Sequence, residues 1–124
     1  MASSADETLR KAFQELQFKM LETRQKLTAG EALAEQARAE IRKAQLTKDE
    51  LTKLPADTPA YLTLGRVFVR RTVEESMVEQ DKDIKEQQDT IASAQRQKEY
   101  LEKSLREAES NLREMVQHRQ AASK

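Results

Sequence analysis

The sequence predicts a mainly α fold: an antiparallel two-helix coiled coil with one β-hairpin between the helices. Three observations carry that prediction. One seam steps alternately by four and three through Leu9, Phe13, Leu16, Met20, Thr23, Leu27, Gly30, Ala34, Ala37, Ile41 and Ala44. A second keeps one register through Val73, Met77, Gln80, Ile84, Gln87, Ile91, Ala94, Lys98, Leu101, Leu105, Ala108, Leu112, Met115 and Arg119. Between them lies the only strand-like run, Tyr61 to Arg70, centred on Gly65-Arg66. Heptad spacing makes a narrow apolar stripe that closes against another helix, not the broad face of a globular helix.

Composition supports this reading. Charged residues make up 35% of the chain and aromatics 4%, which suits long helices that bury a seam instead of a sizeable core. Stability must then come from helix pairing and from assembly with other chains. The formal net charge is zero with both signs interspersed, which argues against nucleic acid or an anionic membrane as a main partner. The densest basic spot, Arg70-Arg71, reads either as a solvated strand end or as an anion contact. There is no cysteine, so a disulfide framework and a thiolate zinc site are excluded, and a reducing compartment fits. Met1 to Asp6 is small and polar with no apolar stretch behind it, and no window suits a membrane span. The expected location is cytoplasmic.

The chain reads as a single domain over 1–124, with an N-terminal coiled-coil helix at 6–45, a short helix and hairpin at 46–72, and a C-terminal coiled-coil helix at 73–120. Residues 1–5 are expected to be unstructured, with Asp6 as N-cap. Gly30 interrupts the first helix, either as a weak spot where a small residue fits or as a flexion point. Thr47-Lys48-Asp49-Glu50 matches a capping box and predicts a separate short helix over 48–54, which Pro55 and Pro59 then end. Gly65-Arg66 fits a type II′ turn, pairing Leu64 with Val67, Thr63 with Phe68, Leu62 with Val69 and Tyr61 with Arg70. Leu62, Leu64, Val67 and Val69 then share one apolar face. Thr72-Val73-Glu74-Glu75 is a second capping box and opens the last helix. Glu99–Lys103, Glu102–Arg106 and Glu109–Arg113 are spaced to pair on its outer faces.

If both helices start level at Ala44 and Val73, the antiparallel match sets Ile41 near Met77, Ala34 near Ile84, Leu27 near Ile91, Phe13 near Leu105 and Leu9 near Ala108. Gly30 then faces Gln87, and Leu112 and Met115, with Val116 beside them, have little or nothing opposite. That apolar end must meet something else, serve as an exposed functional patch, fray, or be clasped by residues 1–8. A lone hairpin is marginal in water and its open edges invite pairing, so the hairpin is the predicted oligomerisation element.

No catalytic constellation stands out. His118 reads as a surface residue, and Asp81 and Asp83 lack the glycine and spaced ligands of a calcium loop. Ser93, Ser104 and Ser110 lie in helix without a base, and there is no phosphate loop, nucleophile elbow or HExxH. The expectation is a protein that is not an enzyme and uses no metal or other cofactor.

The layout of helix, hairpin and helix resembles that of prefoldin subunits. The run Tyr61-Leu-Thr-Leu-Gly65-Arg66-Val-Phe68-Val69 is similar to the hairpin of eukaryotic members. Lys98 to Met115 is similar to their C-terminal helix, and Lys11 to Gln17 to their N-terminal start. Room for only one hairpin points to the β class, since the α class carries two. Val67 departs from the bulkier Met expected after Gly-Arg. The resemblance implies an ATP-independent co-chaperone: a heterohexamer of two α-class and four β-class subunits, whose hairpins form a double β-barrel. Its coiled-coil tips capture unfolded actin and tubulin and deliver them to the cytosolic group II chaperonin. On that reading Leu9, Phe13, Leu112, Met115 and Val116 are the expected client contacts, and Tyr61, Leu62, Leu64, Gly65, Val67, Phe68 and Val69 the assembly hairpin. A structural coiled-coil adaptor without chaperone activity is the alternative.

Overall fold

The computed structural model describes residues 4–122. Helix α1 spans Ser4–Thr52, strands β1 and β2 span Ala60–Leu64 and Val67–Arg71, and helix α2 spans Val73–Ala122. The mainly α class with one intervening hairpin is therefore as the sequence predicts. The contacts gather into two compact units, one of residues up to Glu31 with those from Gln95 onward, the other Ala32–Ala94.

Two expectations about α1 need correction. Its start is not capped by Asp6: Ser4 and Ala5 are already helical, and the Thr8 hydroxyl donates to the Ser4 carbonyl at 2.9 Å. The rest of the expected unstructured lead lies outside the described residues. Nor does the helix stop near residue 45 and restart. It runs through to Thr52, and the Thr47 hydroxyl donates to the Lys43 carbonyl at 2.9 Å instead of capping a new helix. The local capping pattern loses because the seam continues past Ala44 through Thr47 and Leu51, both of them partly covered. No Gly or Pro between 31 and 54 interrupts it. The helix ends by tightening: Lys53 and Leu54 donate their backbone N–H to the carbonyls three residues back, just before Pro55.

The start of α2 is as the sequence predicts. The Glu75 N–H donates to the Thr72 hydroxyl at 3.0 Å and the Thr72 N–H to the Glu75 carboxylate at 3.4 Å, a reciprocal capping box. Hydrogen bonding of its carboxyl with the Thr72 side chain and then with the Thr72 N–H holds Glu75 below the ordinary glutamate value; desolvation opposes this, and Arg71 adds to it. Because the folded value is the lower one, this carboxylate supports the cap above the ordinary glutamate pKa. The support is lost as pH falls through the lowered value. Protection of the Thr72 amide, taken relative to its intrinsic exchange rate, should fall across that acid window in the native chain, and Glu75→Gln should flatten the dependence.

The heptad seams are visible as burial. In α1, Leu9, Leu16, Met20, Leu27, Gly30 and Ile41 are half-buried, and Thr23, Ala34, Ala37 and Ala44 are buried. In α2, every seam position but Lys98 is at least partly covered, and Leu112 is the one buried residue. Of the outer-face pairs expected on α2, Glu99 instead accepts from the Gln95 amide at 3.1 Å. In α1, ion pairs of this kind form as Glu22–Lys26 at 3.1 Å and Glu35–Arg38 at 3.2 Å.

A longer α1 overturns the predicted pairing. In the second unit Lys48 bonds Asp81, and Glu40, Lys43, Ala44 and Thr47 line a cleft with Gln80, Asp83 and Gln87. Gln87 thus sits beside Glu40 and Ala44 instead of Gly30. In the first unit the Lys19 ammonium reaches the Ser104 carbonyl at 3.5 Å, and Arg119 bonds Asp6 at 2.7 Å. These contacts are displaced by about one and a half to three helical turns from the match that started the helices level at Ala44 and Val73.

At Gly30 the backbone is helical and an added Cβ would meet nothing within 4 Å. Gly30→Ala should therefore stabilise the chain by about 0.5–1 kcal/mol, measured by thermal unfolding. An unchanged or lowered midpoint would show that Gly30 is held for closer approach than this.

Candidate functional site

The hairpin pairs Ala60 with Arg71, Tyr61 with Arg70, Leu62 with Val69, Thr63 with Phe68 and Leu64 with Val67. Gly65 takes φ 60°, and no described non-glycine residue has positive φ, so Arg66 stays out of the left-handed region as a type II′ turn requires. Only glycine reaches that first turn position without steric cost.

What the hairpin offers is apolar carbon in water. Near the turn, Leu64 and Val67 are 55% and 60% exposed on one face, and Phe68 is 70% exposed on the other. Tyr61 is also exposed, whereas Leu62 and Val69 are half-buried. The predicted apolar face is thus covered at its base and open toward the turn. The sheet has only two strands, so the outer edges of both are unpaired within the chain. Exposed Leu, Val and Phe thus flank those open edges. At its base, the Arg71 guanidinium lies 3.5 Å from the Glu75 carboxylate, which ties β2 to the first turn of α2.

The second group of predicted residues lies at the ends of the helices, in the first unit. The structure does not leave them without partners. Leu112 is buried, Leu9, Met115 and Val116 are half-buried, and Phe13 is 49% exposed. The expectation that Leu112, Met115 and Val116 face empty space is overturned, because α1 reaches far enough along α2 for Asp6 to bond Arg119. Of the stretch offered as a clasp, Asp6 is the residue that bonds α2 there, through Arg119.

Sequence reasoning missed three exposed apolar side chains in this unit: Phe18, Leu21 and Tyr100. They lie off the heptad seam, and the spacing of Phe18 and Leu21, three apart on one helix, was their only signal. His118 is exposed, as predicted. Asp81 is engaged by Lys48. Among the described residues no group of three or more His, Cys, Asp or Glu side chains could hold a metal ion. No described helix is long and apolar enough to cross a membrane.

A family model described as Prefoldin subunit matches residues 14–119. The probable prefoldin subunit 1 of Caenorhabditis briggsae is 40% identical over 115 residues, covering 93% of this chain and 98% of that protein. Prefoldin subunit 1 of Arabidopsis thaliana is 41% identical over 115 residues, covering 91% and 88%. Its counterpart in Homo sapiens is 36% identical over 124 residues, covering 98% and 99%. The solved prefoldin beta subunit from Thermococcus strain KS-1 shares the fold, with a TM-score of 0.69 at 20% identity over 86% of this chain and 90% of that one.

Proposed function

This chain belongs to the prefoldin subunit family, and on that premise we propose that it is one β-class subunit of a heterohexameric, ATP-independent co-chaperone. Two α-class and three further β-class subunits complete the assembly, joined through the hairpins. The complex captures unfolded actin and tubulin in the cytoplasm and passes them to the group II chaperonin.

The observation that carries this reading is the hairpin, where Leu64, Val67 and Phe68 stand more than half exposed beside open strand edges. A surface of that kind on a chain with so thin a core of its own favours association over solitude. Client capture is assigned to the helix ends of the first unit. Leu9, Phe13, Met115 and Val116 there offer a small apolar surface over Leu112. One such patch binds weakly, and six chains engaging one unfolded polypeptide gain avidity without any new contact.

The test is to mix the purified chain with α-class and other β-class subunits and record native mass spectra, then assay suppression of actin aggregation. A six-chain complex that holds unfolded actin without ATP supports the proposal. A stable homodimer indifferent to those subunits favours a structural adaptor.

A further inference from the structure

We propose that the Asp6–Arg119 ion pair is a salt-sensitive clasp that gates the apolar residues at the helix ends, so that the client patch is partly hidden until the clasp opens; the inference rests on the client-binding reading above. The Arg119 guanidinium donates from Nε to Asp6 Oδ1 at 2.7 Å, joining residues 113 positions apart. Asp6 is one helical turn outside Leu9 on α1, and Arg119 one turn outside Met115 and Val116 on α2. The pair therefore sits just beyond the apolar residues of both helices. Two turns inside it Leu112 is 9% exposed, with Leu9, Met115 and Val116 half-buried.

Further along this unit, the Lys19 ammonium approaches the Ser104 carbonyl at 3.5 Å. Between the two ties the covered seam positions, Leu9 and Leu16 on α1 and Leu105, Ala108, Leu112 and Met115 on α2, are apolar, and an apolar segment of an unfolded chain can replace such packing. The clasp itself is weak by construction. Its guanidinium and carboxylate are 35% and 42% exposed, so water and salt compete for both charges. A latch of low strength at a helix end opens locally, far more often than the whole chain unfolds. Opening uncovers Leu9, Leu112, Met115 and Val116 together. Phe18, Leu21 and Tyr100, already exposed with the clasp closed, are outside this control.

The experiment compares the full chain with Arg119→Gln, with Asp6→Asn and with the charge-swapped pair Asp6→Arg/Arg119→Asp. Hydrogen exchange is followed over residues 9–16 and 109–116, and capture of guanidine-unfolded actin is measured from low to high salt. Each single variant should speed exchange in both segments and raise the capture rate by about two- to five-fold, the factor a partly exposed ion pair supports. The swapped pair should restore native values. Salt should raise capture by the native chain and leave the single variants nearly unmoved.

Faster exchange with unchanged capture would overturn gating, and so would capture lost on Phe18→Ser/Leu21→Ser but insensitive to the clasp. Unchanged exchange in the single variants would overturn the clasp itself. If the native chain captures no actin, the client-binding reading fails, and the exchange measurement still decides whether the pair holds the helix ends together.

Discussion

Phe68→Asp and Val67→Asp should each prevent the chain from joining a six-subunit complex while leaving its helical content unchanged. In the single chain these side chains are 70% and 60% exposed, so a carboxylate in their place stays in water and costs the fold little. Where hairpins pack together on assembly, the same carboxylate loses its hydration. Burying an unpaired charge is expensive enough to weaken association by at least ~100-fold. Native mass spectrometry with the partner subunits reads the loss of the complex, and circular dichroism reads the retained helices. A complex of normal composition and stability containing Phe68→Asp would show that assembly uses another surface.

The second large effect concerns the helix ends, where the structure separates two kinds of residue. Met115→Ser with Val116→Ser removes half-buried apolar surface and should cut capture of unfolded actin by about ten-fold across a multivalent complex, with assembly intact. Leu112→Ala acts differently. Its side chain is 9% exposed, so truncation leaves a gap between the helices and should cost about 2–3 kcal/mol, seen as a lower unfolding midpoint. Aggregation suppression that survives the loss of Met115 and Val116 would remove them from the client contacts.

The hairpin was legible to the residue. Alternating apolar positions on either side of Gly65-Arg66 admit one register, because a one-residue slip would exchange the two faces. The seams were equally legible, since heptad spacing is set by helix geometry. The break in α1 was misread for a local reason. Thr47 and Glu50 match a capping box, but such a pattern caps only where the chain leaves the helix, and the continuing seam through Leu51 keeps it helical. That one error moved every predicted partner across the helices and left Leu112 facing nothing on paper. Phe18, Leu21 and Tyr100 escaped notice because a heptad reading looks only at the seam, while exposure depends on what lies outside it.

The most deeply covered positions of the second unit are not its large residues but Ala34, Ala37 and Ala44, at 5%, 2% and 4% exposure. Where the space is filled by a methyl group, bulk is the hazard and hydrophobicity no protection. A map of tolerated substitutions along α1 would then look inverted. Leucine at 33 or 46, exposed in the single chain, could give way to many residues, while an alanine a few positions away would accept almost none. For a chain of this kind, the smallest side chains are where sequence change is most narrowly constrained.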